Sequence, residues 1–182
     1  MLGKILGGIG LVLLVLIILG FVLPDKVHLE REIVIDAPQD EVYALVSDLG
    51  EMEKWSPWAK IDPDMTSTIA GEGVGQTMSW QSDHPNVGDG AQMITALDPP
   101  SQVKVDLDFG DKGLAKAALD LSPAAGDGTK VVWSFDTNMR DGVPFYMKPM
   151  STYFGFMMDG MLGPQYEEGL SSLKELAEAG GG

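Results

Sequence analysis

The chain begins with a long apolar run, from Ile5 to Leu23, that contains no charged or polar side chain. As a helix, this run would span roughly 28 Å, close to the thickness of the hydrocarbon core of a bilayer. Lys4 precedes it and Pro24 follows it. We therefore expect a single-pass transmembrane anchor over residues 1–26. The one flanking lysine favours a cytoplasmic N-terminus and a domain on the extracytoplasmic side, which is the periplasm in a bacterium.

A cleaved signal peptide is the alternative interpretation of this segment. The apolar run is longer than the roughly 7–15 residues of a signal-peptide core, and no A-x-A-like cleavage site follows it. The sequence therefore favours the uncleaved anchor.

After the anchor, the spacing of apolar positions changes twice. From Val27 to Ile35 apolar and polar residues alternate, which predicts a strand with one buried face. Pro38, Asp40 and Glu41 then provide the proline and acidic residues typical of a helix start, and the following apolar residues have helical spacing. We expect a short helix over residues 38–47 and a second helical turn over residues 51–55.

Between residues 66 and 136 the pattern is that of short strands separated by turns. The predicted strands are Thr66–Ala70, Gln76–Ser82, Gly90–Leu97, Gln102–Phe109, Leu114–Ser122 and Thr129–Asp136. Turns such as Gly110-Asp111-Lys112-Gly113 connect them, and such short connections require antiparallel neighbours. Alternation predicts one wet face and one covered face, the latter formed by Met93, Leu97, Val103, Val105, Leu107, Phe109, Leu119, Leu121, Val131, Trp133 and Phe135.

The C-terminal segment is predicted to cover that apolar face. Phe154, Met158 and Met161 recur at i, i+4 and i+7, which places them on one side of a helix. Gly163-Pro164 interrupts the pattern, so either a kinked helix or two consecutive helices should result. We assign residues 27–179 to one domain and residues 180–182 to a disordered tail.

Charge and composition exclude several classes of function. The chain of 182 residues has 12 Lys and Arg against 27 Asp and Glu, for a net charge of −15, which argues against nucleic-acid binding. It contains no cysteine, so disulfides, thiolate metal sites and cysteine nucleophiles are excluded. The two histidines, His28 and His84, lack the spacing of a metal site or catalytic triad. We predict neither a metal nor a cofactor, and the sequence leaves the oligomeric state open.

Five segments together resemble a known superfamily. They are Ile33-Val34-Ile35-Asp36-Ala37-Pro38, Val42 to Asp48, Trp55-Ser56-Pro57-Trp58, Thr129-Lys130-Val131-Val132-Trp133 and the helix Met161 to Lys174 with Leu170 and Leu173. In their order along the chain they resemble the SRPBCC superfamily, the START/Bet v 1-like proteins of polyketide cyclase/dehydrase and lipid transport type. A membrane-anchored subgroup with the Trp-Ser-Pro-Trp segment is most similar.

The resemblance implies an α+β helix-grip fold. In that fold a curved antiparallel sheet, here of about seven strands, packs on a long C-terminal helix, and a cavity lies between them. In this chain the N-terminal transmembrane helix would precede the domain.

The implied cavity defines candidate ligand-binding residues. They are Trp55, Trp58, Met93, Val105, Leu107, Leu119, Trp133, Phe154, Met158 and Met161, with Arg140 and Tyr153 as candidate polar groups. Six of the eleven methionines lie between Met139 and Met161, and flexible methionine walls suit apolar ligands of variable shape. The same methionines and tryptophans could instead be ordinary core residues.

Three functions follow as hypotheses. The first is binding of a hydrophobic or amphipathic small molecule or lipid, without catalysis, by a domain that a helix holds at the membrane. The second is an enzyme of cyclase or aromatase type, which would need Arg140 and Tyr153 to point into the cavity. The third is a protein-interaction module whose core is filled.

Overall fold

The computed structural model describes residues 2–110 and 113–180. The helices are α1 Leu2–Val22, α2 Gln39–Val46, α3 Leu49–Trp55, α4 Pro57–Ile61, α5 Lys148–Gly155 and α6 Met158–Gly180, with a 3-10 turn at Phe145–Met147. The strands are β1 Lys26–Ile35, β2 Thr66–Ala70, β3 Thr77–Gln81, β4 Gly90–Asp98, β5 Gln102–Asp108, β6 Leu114–Pro123 and β7 Thr129–Asn138. Asp111 and Lys112 of one predicted turn, and residues 181–182 of the predicted tail, lie outside the described residues.

All seven strands form one antiparallel sheet in the order β1-β7-β6-β5-β4-β3-β2. Strands β2 to β7 are a meander, as their short connections require. The first strand forms one edge of this open sheet and pairs with the last strand, with Ile33 opposite Val131. The sheet and the long C-terminal helix confirm the predicted α+β helix-grip fold.

One irregularity in β4 reverses the predicted direction of a candidate site residue. The pairing of β4 with β5 shifts between Ile94 and Ala96, so a β-bulge separates the two halves of the strand. A bulge adds one residue and changes which side chains share a face. Leu97 therefore packs against the core, as predicted, whereas Met93 lies opposite Asp106 and is 40% exposed on the outer face.

The C-terminal segment consists of two helices, and the break lies earlier than Gly163-Pro164. Helix α5 ends at Gly155, and α6 begins at Met158 and continues through Pro164. The buried side of α6 includes Tyr166, Leu170 and Leu173. Met161 lies on another side of this helix and is 46% exposed, so the prediction that it faces the sheet is wrong.

Close packing fixes α6 on the sheet. Gly169 faces Trp133 of β7, and a Cβ added there would lie 2.8 Å from the indole ring, so only glycine permits this approach. Leu170 and Leu173 are fully buried in the same core, together with Val131 of β7. These contacts place α6 across one end of the sheet face and leave its other end to α5.

Helix α1 stands apart from this core. It is long and apolar enough to cross a bilayer, although a signal sequence would satisfy the same criteria. Its side chains are almost all exposed, with Gly20 as the one buried residue among those described. Its C-terminal half packs on α5.

Candidate functional site

A cavity of about 530 Å³ lies between the sheet and the helices α5 and α6. This volume falls within the roughly 300–1,000 Å³ of small-molecule binding sites. Side chains of β3 to β7 form its floor, α3 and α4 close one end, and α5 and the first turns of α6 form the roof.

Eight of the ten apolar residues predicted for the site line this cavity. They are Trp55, Trp58, Val105, Leu107, Leu119, Trp133, Phe154 and Met158. Met93 and Met161 do not line it. The β4 bulge turns Met93 to the outer face of the sheet, and Met161 lies on an exposed side of α6.

The aromatic part of the wall is centred on Trp133. Its ring stacks on Tyr166 with centroids 3.9 Å apart, and Trp55 and Trp58 meet it edge-on at 5.2 Å and 6.0 Å. Trp80 also borders the cavity, so all four tryptophans of the chain do. Sequence analysis missed Tyr166 and Trp80, although Tyr166 lies two helical turns after Met158 and helical spacing could have identified it.

Methionines form much of the remaining wall. Seven of the eleven line the cavity, namely Met52, Met65, Met78, Met139, Met147, Met150 and Met158. They come from α3, the loops beside β2 and β7, β3 and the C-terminal helices, so the C-terminal cluster singled out in the sequence is only part of a larger set. Thioether side chains of this kind adapt to irregular apolar shapes.

The cavity has few polar groups. Among the described residues that line it, Glu53 is the one charged side chain, and its Oε1 accepts a hydrogen bond from Ser67 Oγ at 2.6 Å. Burial raises the pKa of the Tyr166 phenol far above its ordinary value. Within residues 2–110 and 113–180, no group of three or more His, Asp or Glu side chains could hold a metal.

Arg140 points to α1 and not into the cavity. Its Nη2 donates to the carbonyls of Leu23 at 2.7 Å and Gly20 at 3.0 Å, and its Nη1 lies 3.4 Å from Asp25 Oδ2. The last carbonyls of a helix lack partners within the helix and favour a cation, which explains this position.

Tyr153 also contacts α1. Its hydroxyl donates to the carbonyl of Leu16 at 2.6 Å. The two polar groups proposed for the cavity therefore bind the N-terminal helix, and a cyclase-type site built on them is not formed.

Comparison with known proteins identifies the type of domain. Residues 26–178 match the family described as polyketide cyclase / dehydrase and lipid transport. A comparison with curated proteins gives no significant match.

Several solved structures have a similar fold. A point mutant of norcoclaurine synthase from Thalictrum flavum, in complex with a transition-state analogue, is 15% identical with a TM-score of 0.64, over 86% of this chain and 97% of that one. The Zhui aromatase/cyclase from Streptomyces sp. R1128 is 17% identical with a TM-score of 0.61, over 84% and 94%. An uncharacterized protein from Rhizobium leguminosarum is 15% identical with a TM-score of 0.61, over 85% and 95%. At such identities the similarity establishes the fold alone.

Proposed function

The chain belongs to the polyketide cyclase/dehydrase and lipid transport family, and we propose that it binds a hydrophobic or amphipathic small molecule or lipid in its cavity, without catalysing a reaction. One observation carries this proposal. The cavity of about 530 Å³ is walled by the four tryptophans and seven methionines, with one carboxylate among its described lining residues.

The energetics favour an apolar ligand. Burying about 200 Å² of apolar ligand surface would contribute about 5 kcal/mol before the costs of association are subtracted. No Lys, Arg or His is among the described lining residues, so the cavity offers no cation to hold an anionic group. We therefore expect the ligand to be a fatty chain or a polycyclic body.

The two alternative functions have less support. An enzyme of cyclase type would need acid–base groups around the substrate, and Arg140 and Tyr153 are hydrogen-bonded to α1 instead. A protein-interaction module with a filled core is difficult to reconcile with a cavity of this volume.

We further propose that α1 remains attached as a membrane anchor and that the domain lies outside the cytoplasm. The hydrogen bonds of Arg140 to Gly20 and Leu23, and its ion pair with Asp25, support retention, because cleavage before Lys26 would remove all three partners. This arrangement fits the membrane-anchored subgroup that the sequence resembles.

A fusion experiment tests the anchor. Alkaline phosphatase attached after Ala179 should be active in a bacterial host, and the fusion should remain in the membrane after a carbonate wash. An inactive fusion would reverse the orientation. A soluble mature form that starts near Lys26 would identify the segment as a cleaved signal peptide.

Native mass spectrometry tests ligand binding. The full chain, purified in a mild detergent and released from micelles in the gas phase, should carry one co-purified small molecule per chain. The expected identity is an apolar or single-chain amphipathic compound. A protein that is ligand-free as purified, and that stays so after incubation with excess fatty acid, would contradict the proposal.

A further inference from the structure

The segment from Phe145 to Met157, here called the apolar segment, presents hydrophobic side chains to the surface. Phe145 is 73% exposed and Tyr146 is 79% exposed, and Phe156 and Met157 are also exposed. The surface of a soluble monomer rarely carries so many large apolar side chains in one stretch. This clustering indicates that something other than water covers the segment.

The apolar segment is continuous with α1. The ring of Phe145 stacks on that of Phe21 with centroids 4.9 Å apart. Gly20 lies so close to Pro149 that an added Cβ would come within 2.5 Å of the proline Cβ. Whatever environment surrounds the C-terminal half of α1 therefore also surrounds α5.

The contact between α5 and α1 also shows how far the apolar segment reaches below the C-terminal end of α1. Tyr153 of α5 hydrogen-bonds the carbonyl of Leu16, which lies six residues before the end of α1 at Val22. At about 1.5 Å per residue this is roughly 9 Å below the end of the helix. Amphipathic elements at a membrane surface insert to a similar depth, about 5–10 Å.

The composition of the segment suits that position. Tyr146 and Lys148 are residue types that occupy the boundary between headgroups and hydrocarbon, the lysine by extending its ammonium outward. Arg140 and Asp25 form their ion pair beyond the end of α1, the position at which the end of a membrane span would meet headgroups and water.

The same segment borders the cavity. Met147, Met150 and Phe154 belong to this segment, line the cavity and are exposed. The same short segment therefore forms part of the cavity wall and part of the apolar surface beside α1.

From these contacts we propose that residues 145–157 lie in the boundary layer of the membrane that α1 spans and form the entrance of the cavity, so that the ligand passes directly between bilayer and cavity. This inference rests on the proposed function and on α1 as a membrane span. The continuity with α1 selects the lipid phase as the occupant of this surface over a protein partner.

The depth of the segment is the first test. The chain contains no cysteine, so single-cysteine variants can be labelled with a fluorophore at one site. In vesicles that contain phospholipid spin-labelled near the headgroup, labels at Tyr146→Cys and Met157→Cys should be quenched as strongly as one at Leu19→Cys near the end of α1. A label at Lys104→Cys, exposed on β5, should be quenched little. Quenching at 146 and 157 as weak as at 104 would overturn the proposal.

Ligand uptake is the second test and uses the double variant Tyr146→Asp/Met157→Asp, since neither residue lines the cavity. Uptake of a fluorescent fatty acid from vesicles should slow by about tenfold, because two carboxylates must approach hydrocarbon. The control Thr66→Asp/Thr68→Asp adds the same charge on the exposed strand β2 and should behave as wild type.

The two proposals fail in different ways. In detergent solution the double variant should bind the same fatty acid as well as the wild type does, because its cavity is unchanged. Equal rates of uptake from vesicles for the double variant and the wild type would overturn the proposed entrance and leave the proposed function standing. Absence of binding by the wild type in detergent would overturn the proposed function, and the quenching measurement would still report the depth of the segment.

Discussion

Trp133 organises the aromatic wall through one stacked ring and two edge-on rings. Its side chain is buried against α6 and borders the cavity on one side. We expect Trp133→Ala to reduce the free energy of unfolding by about 3 kcal/mol, at the lower end of the range for removing a core aromatic, because part of the ring faces open space. Chemical denaturation of the full chain in detergent measures this value. A loss below about 1 kcal/mol would show that the ring does not hold α6 on the sheet.

Asp48 joins the two short helices to the sheet. Its Oδ1 caps α3 by accepting from the amides of Gly50 and Glu51, and its Oδ2 accepts from Gln76 Nε2 at 2.7 Å. The hydrogen bond from Gln76 and those from the backbone lower the pKa of Asp48, against the opposing effect of burial. A lowered pKa means that the carboxylate stabilises the fold above its unfolded-state pKa, and that this contribution disappears as the pH falls through the folded-state value.

The variant Asp48→Asn isolates that charge, since asparagine caps helices equally well. We expect a loss of about 1 kcal/mol at pH 7, a modest value because the carboxylate is partly exposed. The difference between variant and wild type should shrink below about pH 4. Thermal unfolding of both proteins between pH 3 and 7 measures this difference in stability. A difference that is constant over this range would assign the effect to packing.

Most of the apolar residues predicted for the site line the cavity, and the exceptions have particular causes. Trp55, Leu119 and Trp133 lie where simple alternation and the family resemblance placed them. Met93 was misplaced, because the bulge that reverses β4 is set by pairing with β5 and leaves no clear signal in the local pattern. Arg140 could not be assigned, because its partners are carbonyls more than one hundred residues away in α1.

The pairing of α1 with α5 is the structural feature that pattern analysis alone could not show. The unbroken apolar run predicted α1 and helical spacing predicted the C-terminal helix, but the contact depends on the small surface of Gly20 against Pro149. The break between α5 and α6 follows Gly155, a residue type that favours helix ends, and lies before the predicted break at Gly163-Pro164. Long-range packing therefore determines the first feature, whereas a local signal was present for the second.

Two glycines of α1 provide a matched test of that contact. Gly20→Leu should force α5 away from α1 and separate Arg140 from its carbonyl partners, at a cost of about 1–3 kcal/mol as for other overpacked sites. Gly10→Leu makes the same chemical change where no atom lies within 4 Å and should have no effect. Protease cleavage within residues 139–157 of the detergent-solubilised protein should increase for the first variant only. Equal cleavage of both would indicate that α1 and α5 do not pack together.

The whole molecule combines an acidic domain with a long apolar N-terminal helix. The net charge of −15 gives no electrostatic attraction to anionic headgroups, so the membrane attachment that we propose depends on α1 and the apolar segment alone. The strand that follows α1 pairs with the last strand of the sheet, which brings α1 beside the C-terminal helices and the cavity wall. The topology therefore places α1 and the cavity at the same end of the protein.

Ligand occupancy of the variant Met158→Trp tests the central claim most directly. Met158 lines the cavity, and Met93→Trp is the matched control, because Met93 is exposed on the outer face of the sheet. Native mass spectrometry of the full chains, after incubation with the same fatty acid, should show the ligand on the wild type and on Met93→Trp, and none on Met158→Trp. The stability of Met158→Trp should change by less than about 1 kcal/mol, because the indole enters empty space. Undiminished ligand on Met158→Trp, or destabilisation by about 1–3 kcal/mol without ligand on any of the three proteins, would contradict the account, since the latter cost is that of overpacking a filled core.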